Sequence, residues 1–307
     1  MSDIVTQYQA VAQGAGFFER VHRGRLRFDG ADALPFLQAL LSADIGSLTA
    51  GQRGYSTYLT PNGRMLADVH VIHRGDHLIA DVPASRANAL AARFDQVIFT
   101  EDVRVSDVSG STLQIAVVGA LAIERANLPG GDQVFAVSTD DPCPGSADLF
   151  APAAEREAVV AALMRAGVMP MSPELFEVFR IEAGRPLFGV DMTEETIPLE
   201  AGLLDRAIST TKGCYVGQEI IIRVLHRGGG RVAKRLVKLA LDPAATVPPA
   251  AGTPLTIDGR DVGAVTSAVF SPASRRVVAL GYVARDALQS ETVQVGTIPA
   301  TILEPAG

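Results

Sequence analysis

The sequence is short of thiols and of lysine: 307 residues carry two cysteines, Cys143 and Cys214, and three lysines, Lys212, Lys234 and Lys238. Two cysteines so far apart make no disulfide framework, and there is no C-x-x-C pair for a zinc or redox site. Reduced thiols and a cytoplasmic location are expected. No run approaches the ~20 apolar residues that span a bilayer; the longest windows are Ile115 to Ile123 and Val159 to Met164. The N-terminus has an early Asp3 and no basic run before an apolar stretch, so it does not read as a secretory signal. Positive charge is not in surplus either. A formal charge of −7 and a pI near 5.3 argue against gripping duplex nucleic acid through the overall field. The five histidines, His22, His70, His73, His77 and His226, include one close pair, His70 and His73. On a strand these two point to opposite faces and make no metal site.

What is present is an ordinary globular composition, 48% hydrophobic and 20% charged, so folded structure is expected throughout. The length exceeds one compact core, and two or three folded units are expected. Leu34, Leu37, Leu40 and Leu41 recur at helical spacing after Asp32. Apolar alternation then flanks Pro61-Asn62-Gly63 and Arg74-Gly75-Asp76, both turn formers, and predicts an antiparallel meander. Helical spacing returns in ASRANALAARFDQVIF, a buried strand in STLQIAVVGA, and helices in AAEREAVVAALMRAG and SPELFEVFRIEAG, stopped by Gly167 and Gly184. The mixture is an α+β pattern. Past Gly228-Gly229-Gly230 the chain turns to short β-branched runs between turn signals, with no helix apart from the brief ARDAL, which predicts a small all-β unit, sandwich or barrel.

Chemistry concentrates in KGCYVGQE, Lys212 to Glu219. An ammonium two residues from Cys214 favours thiolate over thiol, and Gly213 and Gly217 allow backbone angles other residues resist. The competing reading is a buried, inert thiol beside a solvated lysine. A second stretch, FRIEAGRPLFGVDMTEETIPLEAGL, offers Glu182 as a carboxylate able to accept two parallel hydrogen bonds from a ring with adjacent N–H and amino groups. The competing reading is an exposed helix-end ion pair with Arg185. The basic run RVLHRGGGRVAKR suits a phosphate, a polyglutamate tail, an RNA, or only solvent.

KGCYVGQE resembles the K-G-C-[FYW]-x-G-Q-E signature of the YgfZ-type folate-binding proteins, relatives of the glycine cleavage T protein (aminomethyltransferase), at every specified position. GADALPFLQALLSADI, GYSTYLTPNGRMLADVHV, RIEAGRPLFGVD and IPLEAGL are similar to stretches of that superfamily in the same order. The resemblance implies intertwined folate-binding α+β lobes with antiparallel sheets around a central opening over residues 1–228, and a small C-terminal β-barrel over 231–307. It implies tetrahydrofolate, or a one-carbon derivative, as cofactor. Glu182 would contact the pterin, Arg223 would line the cavity and meet the folate carboxylates, and Gln218 and Tyr215 join them as cofactor-binding candidates. Cys214 and Lys212 are the candidates for chemistry. The expected role is an accessory protein supporting iron–sulfur cluster assembly or repair, its partners being folate and iron–sulfur proteins or their assembly factors, with no membrane and no duplex nucleic acid. The alternative is a tetrahydrofolate-dependent aminomethyltransferase or demethylase acting on a small amine. IPLEAGL reads closer to that branch. Against it, KGCYVGQE replaces the K-x-D-F-I-G pattern of the aminomethyltransferases, and Asn88 stands where the resemblance implies their catalytic aspartate. The residues leave the reaction of Cys214 open.

Overall fold

The computed structural model describes residues 2–128, 133–226 and 229–306. The chain opens with α1 (Ser2–Gln13), β1 (Gly16–Glu19), β2 (Arg23–Asp29) and α2 (Ala33–Leu40). The meander follows as β3 (Arg53–Leu59), β4 (Met65–His73) and β5 (His77–Pro83), then α3 (Ala87–Asp95), β6 (Arg104–Asp107), β7 (Thr112–Val118) and α4 (Ala122–Ala126). Next come β8 (Phe135–Thr139), β9 (Ser146–Pro152), α5 (Arg156–Arg165), β10 (Met169–Pro170) and α6 (Pro173–Glu182), and then α7 (Leu204–Ala207) and α8 (Gln218–His226). The remainder is β11 (Lys234–Leu241), β12 (Pro254–Ile257), β13 (Arg260–Ser271), β14 (Arg276–Ala284), β15 (Thr292–Val295) and β16 (Ile298–Pro305).

One five-stranded sheet runs β3-β4-β5-β2-β6 and is antiparallel at every join. The other runs β10-β1-β7-β9-β8, antiparallel except for the short β1–β10 pairing. Because β1 and β2 are consecutive yet lie in different sheets, the two lobes are intertwined. Strands β11-β14-β13-β12-β15-β16 close into a barrel. The expected α+β architecture with antiparallel sheets and a C-terminal β-barrel is therefore present. Gly228, where the first unit was expected to end, lies outside the described residues, as does Gly307.

Strand alternation decides which way each sheet faces. On β2, Leu26 and Phe28 join a core with Leu78, Ala80 and Val82 of β5 and Val69 and Val71 of β4, packed against Leu37 and Phe36 of α2 and Leu90 and Phe94 of α3. On the second sheet, Leu113, Ile115 and Val117 of β7 with Leu149 of β9 pack on Ala122 of α4 and Val159 and Leu163 of α5. Each such side chain, fully buried, contributes about 1.5–3 kcal/mol. Both apolar faces thus point outward, under helices. The faces turned towards each other carry the alternate residues, which are charged at the centre of the seam and apolar around Ile72, Ile79, Val137 and Phe150.

Across this seam Arg20 Nε donates to Asp148 Oδ1 at 2.6 Å, Arg23 Nε to Asp81 Oδ1 at 2.6 Å, and Arg23 Nη1 to both oxygens of Asp68 at 2.9 and 3.0 Å. Arg53 bonds Asp148 through Nη1, and its Nη2 lies 3.5 Å from Asp81 Oδ2. Gln114 Nε2 bridges Asp81 and Asp148 at 2.9 and 3.2 Å. Asp68, Asp81, Arg23 and Arg53 belong to the first sheet, Asp148 and Gln114 to the second, so the lattice ties one to the other. Burial opposes charge on Asp81, but facing Arg23, with Arg53 and Arg20 beyond, holds its carboxyl well below the usual range.

Two elements join the barrel to the lobes. Helix α6 is capped by Ser172, whose hydroxyl accepts from Leu175 N, with Pro173 in the first turn. Its Arg180 donates to Asp191 Oδ2 at 2.6 Å, and Asp191 Oδ1 accepts from Thr266 and Ser267 of β13 at 2.5 and 2.7 Å.

Replacing Asp148 with Asn leaves Arg20 and Arg53 without their shared counter-charge, and a loss of about 3–5 kcal/mol is expected in urea unfolding; an unchanged midpoint would show the lattice to be dispensable. Because the folded pKa of Asp81 is depressed, its contribution is complete above the ordinary carboxylate pKa of ~3.9 and is lost as pH falls below it. An acid-unfolding series should therefore show Asp81→Asn losing much of the wild-type slope below about pH 4.

Candidate functional site

The lattice stops the seam from closing, and at one end it opens into a cavity of about 460 Å3 lined by Arg53, Tyr55, His70, Asp141, Ser146 and Arg206, among others. That volume lies within the ~300–1,000 Å3 range of small-molecule sites. Tyr55 and His70, neighbours across β3 and β4, stack with ring centroids 4.3 Å apart and planes 24° apart. Arg206, from α7, sits 5.0 Å over the Tyr55 ring. His70 Nε2 lies 3.1 Å from Asp141 Oδ2, and Arg206 lies 3.6 Å from Asp141 Oδ1.

Burial, with Arg53 alongside, pulls His70 down and keeps it neutral, so its Nε2–H donates to Asp141. Against burial, that bond and the guanidinium groups of Arg206 and Arg20 hold Asp141 ionised. Burial and the carboxylates of Asp68 and Asp141 push the Tyr55 phenol well up. The wall thus presents a flat aromatic pair, a carboxylate and two guanidinium groups. Asp68 and Phe176 line a narrow cleft behind it with His70 and Asp141. A further opening of about 560 Å3 shares Arg53, Tyr55 and Arg206 and extends past Ser209, Thr210 and Thr211 to the base of the KGCYVGQE loop.

In that loop Lys212 is a pin. Burial pulls its ammonium down to about 8, and its three N–H bonds go to the carbonyl of Gln38, to Leu41 O at 2.7 Å and to Ala43 O at 3.0 Å, at the C-terminal end of α2. Tyr215 is buried in a cluster with Leu59, Met65, Ile221 and Val232. At Gly217 φ is +82°, and a Cβ there would lie 2.6 Å from Thr60 O, so only glycine lets the loop lie on the β3–β4 turn. Between these fixed points Cys214 is exposed. Gln218 opens α8, its Nε2 3.5 Å from Gly213 O. Arg223 is exposed and pairs with Glu219 at 2.7 Å, a helical i,i+4 contact.

Glu182 ends α6 away from both the loop and the Tyr55–His70 pair. Its Oε2 accepts from Tyr8 OH at 2.7 Å and its Oε1 from Ser271 Oγ at 2.5 Å. Neither Glu182 nor Cys143 is on the cavity lining; burial pushes the Cys143 thiol up, and Asp141 and Glu182 act in the same direction. Asn88 is exposed on α3, outside the cavity lining. The structure therefore gathers Lys212, Cys214, Tyr215 and Gln218 in one loop, leaves Arg223 on the surface, and sets Glu182 at a junction. The cavity residues Tyr55, His70, Asp141 and Arg206 carried no motif. For Tyr55 and His70 the one signal was the period-2 placement of polar residues on strands with otherwise apolar alternates; Asp141, in the β8–β9 loop, and Arg206, on α7, had none.

Residues 1–126 match the family described as GCVT N-terminal domain, and residues 234–306 match the glycine cleavage T-protein C-terminal barrel domain. A protein of Rubrobacter xylanophilus named aminomethyltransferase is 30% identical over 300 residues, 91% of this chain and 79% of its own length. One of Exiguobacterium sibiricum with the same name is 28% identical over 315 residues, 96% of this chain and 85% of its own. The crystal structure of a glycine cleavage system aminomethyltransferase T from Bartonella henselae shares the fold, with a TM-score of 0.84 and 22% identity over 97% of this chain and 88% of that one. Among the described residues no helix is long and apolar enough to cross a membrane.

Lys212→Met leaves three carbonyls at the end of α2 without their donor. A loss of about 1–3 kcal/mol in urea unfolding is expected, with faster hydrogen exchange confined to residues 209–217. Wild-type exchange there would remove Lys212 as the anchor of the loop.

Proposed function

From the premise that this chain belongs to the glycine cleavage T-protein family, we propose that it binds tetrahydrofolate in the cavity between the two sheets and acts on one-carbon units, as an aminomethyltransferase-type enzyme. Aminomethyltransferases of the family use tetrahydrofolate. The observation that carries the reading is the Tyr55–His70 stack facing Asp141 and Arg206. These residues fit the cofactor: a flat face for its ring, a carboxylate for ring donors, and guanidinium groups for the carboxylates of its glutamate. Glu182, at the end of α6, would serve as a second acceptor only if Tyr8 and Ser271 gave up its two oxygens. When bound, tetrahydrofolate supplies a ring nitrogen that carries the one-carbon unit. The protein's part is to hold and desolvate the ring, and to keep neutral His70 and ionised Asp141 at its edge, where the pair can hold a proton.

A second reading rests on the KGCYVGQE loop. Lys212, Tyr215 and Gly217 fix the backbone around a thiol that itself stays in solvent, an arrangement suited to contact with another macromolecule. It supports a YgfZ-type accessory role in iron–sulfur cluster assembly or repair. One cysteine cannot supply the four ligands a cluster takes, so the partner would provide the rest.

Calorimetric titration with tetrahydrofolate tests the shared premise. Wild-type protein should bind one equivalent, Tyr55→Ala should weaken binding about tenfold through the lost stacking, and Cys214→Ala should bind normally. No binding by wild-type protein would overturn the proposal, and a Tyr55→Ala variant with full affinity would move the ligand out of this cavity. For the second reading, Cys214→Ala should fail to restore iron–sulfur enzyme activity in a deficient strain while binding folate normally; full restoration would eliminate it.

A further inference from the structure

The seam opens at its other end as well. Along β9 the inward residues run from Ser146, on the first cavity, through Asp148 in the lattice to Phe150 and Pro152, which line a second cavity of about 760 Å3. Along β4 the same course runs from His70 through Ile72 to Arg74. Ile72, Ile79, Val137 and Phe150, with Phe135, form an apolar floor between the lattice and this space.

The second cavity is aromatic and cationic. Phe135 and Phe150 stack with centroids 5.0 Å apart and planes 11° apart, and the Arg74 guanidinium lies 3.4 Å from the Phe135 centroid. The cations on the lining are Arg25, Arg27 and Arg74, and the lining carboxylate is Asp76, which is exposed and bonded to His77 at 2.7 Å. Arg27 is paired with Asp29 at 2.7 Å. Arg25 is buried, and every hydrogen bond of its guanidinium ends on a neutral oxygen: Thr112 Oγ1 at 2.7 Å, Arg23 O at 2.8 Å, Ser109 O at 2.6 Å and Thr112 O at 3.2 Å. Asp81 and Asp107 act on it only through space, and burial pulls its pKa down. A buried guanidinium with no hydrogen-bonded counter-charge is costly unless an anion comes to it.

We propose that this cavity is a second ligand site, for a planar aromatic ring that carries a phosphate, by chemical class a nucleoside monophosphate. A guanidinium plane backed by an aromatic ring is a stacking platform for a base. Several arginines around one opening suit a dianionic phosphate better than a single carboxylate. The volume holds a mononucleotide. A chain of net charge −7 lacks the field that would gather a longer nucleic acid around so confined an opening. The site does not depend on the tetrahydrofolate reading, because the lattice and the apolar floor separate the two cavities.

Titration of the full-length protein with AMP and GMP at low salt, with and without saturating tetrahydrofolate, tests the proposal. One equivalent of at least one nucleotide should bind, tetrahydrofolate should not displace it, and adenosine and inorganic phosphate should each bind more weakly than the nucleotide. Arg74→Ala should weaken binding roughly tenfold. Should that variant unfold, Arg27→Ala, whose side chain is 37% exposed, offers the same readout with little risk to the fold. Absence of binding by both nucleotides at about 1 mM, full affinity in a folded arginine variant, or displacement by tetrahydrofolate would each overturn it.

Discussion

Three arginines and three aspartates meet between the two sheets, with Gln114 bridging two of the carboxylates. Much else follows from that contact. A sheet face so charged cannot serve as a hydrophobic core, so each sheet must bury its apolar side outward, under α2 and α3 or under α4 and α5. Charged side chains also hold the sheets apart where they do not interlock, which leaves space at both ends of the seam. Stability alone does not account for such a lattice, because well-packed hydrophobes in its place are often as stable. What it supplies is register. A one-residue slip of β2 would bring Gly24 to the place of Arg23, and Asp68 and Asp81 would lose the guanidinium they share.

The KGCYVGQE segment shows how much of a chemical-looking motif can be architecture. Its lysine is spent on three carbonyls, its tyrosine on an apolar cluster and its second glycine on close contact with Thr60 O. Each fixes the loop to a different element: α2, the core beneath α8, and the β3–β4 turn. Cys214 is exposed between these fixed points. The ammonium expected to stabilise a thiolate turns instead to the carbonyls at the end of α2.

Much of the fold was legible because its signals are local. Helix α2 follows the leucine spacing, the meander turns where Gly63 and Gly75 adopt φ of +72° and +97°, and α6 starts at Ser172 and Pro173. Helix α8 was missed because KGCYVGQE drew the reading towards a turn, although Ile220, Ile221, Val224 and Leu225 recur at helical spacing. The cavity was not legible. RGRLRFD announces a strand with one charged face, but nothing local says that the facing charges will come from Asp81 and Asp148, some 58 and 125 residues away from Arg23 by sequence number. Tyr55, His70, Asp141 and Arg206 converge only once both sheets exist, and residues that meet through topology leave no spacing to read.

Glu182 joins the two halves of the molecule more tightly than its part in a binding site would require. One carboxylate oxygen accepts from Tyr8 of α1, the other from Ser271 of the barrel, and the Glu182 carbonyl accepts from Lys238 of β11 at 3.2 Å. Any ligand that took both oxygens in parallel would have to displace both hydroxyls. Asp191, held by Arg180 and by Thr266 and Ser267, is a second carboxylate tie between α6 and the barrel.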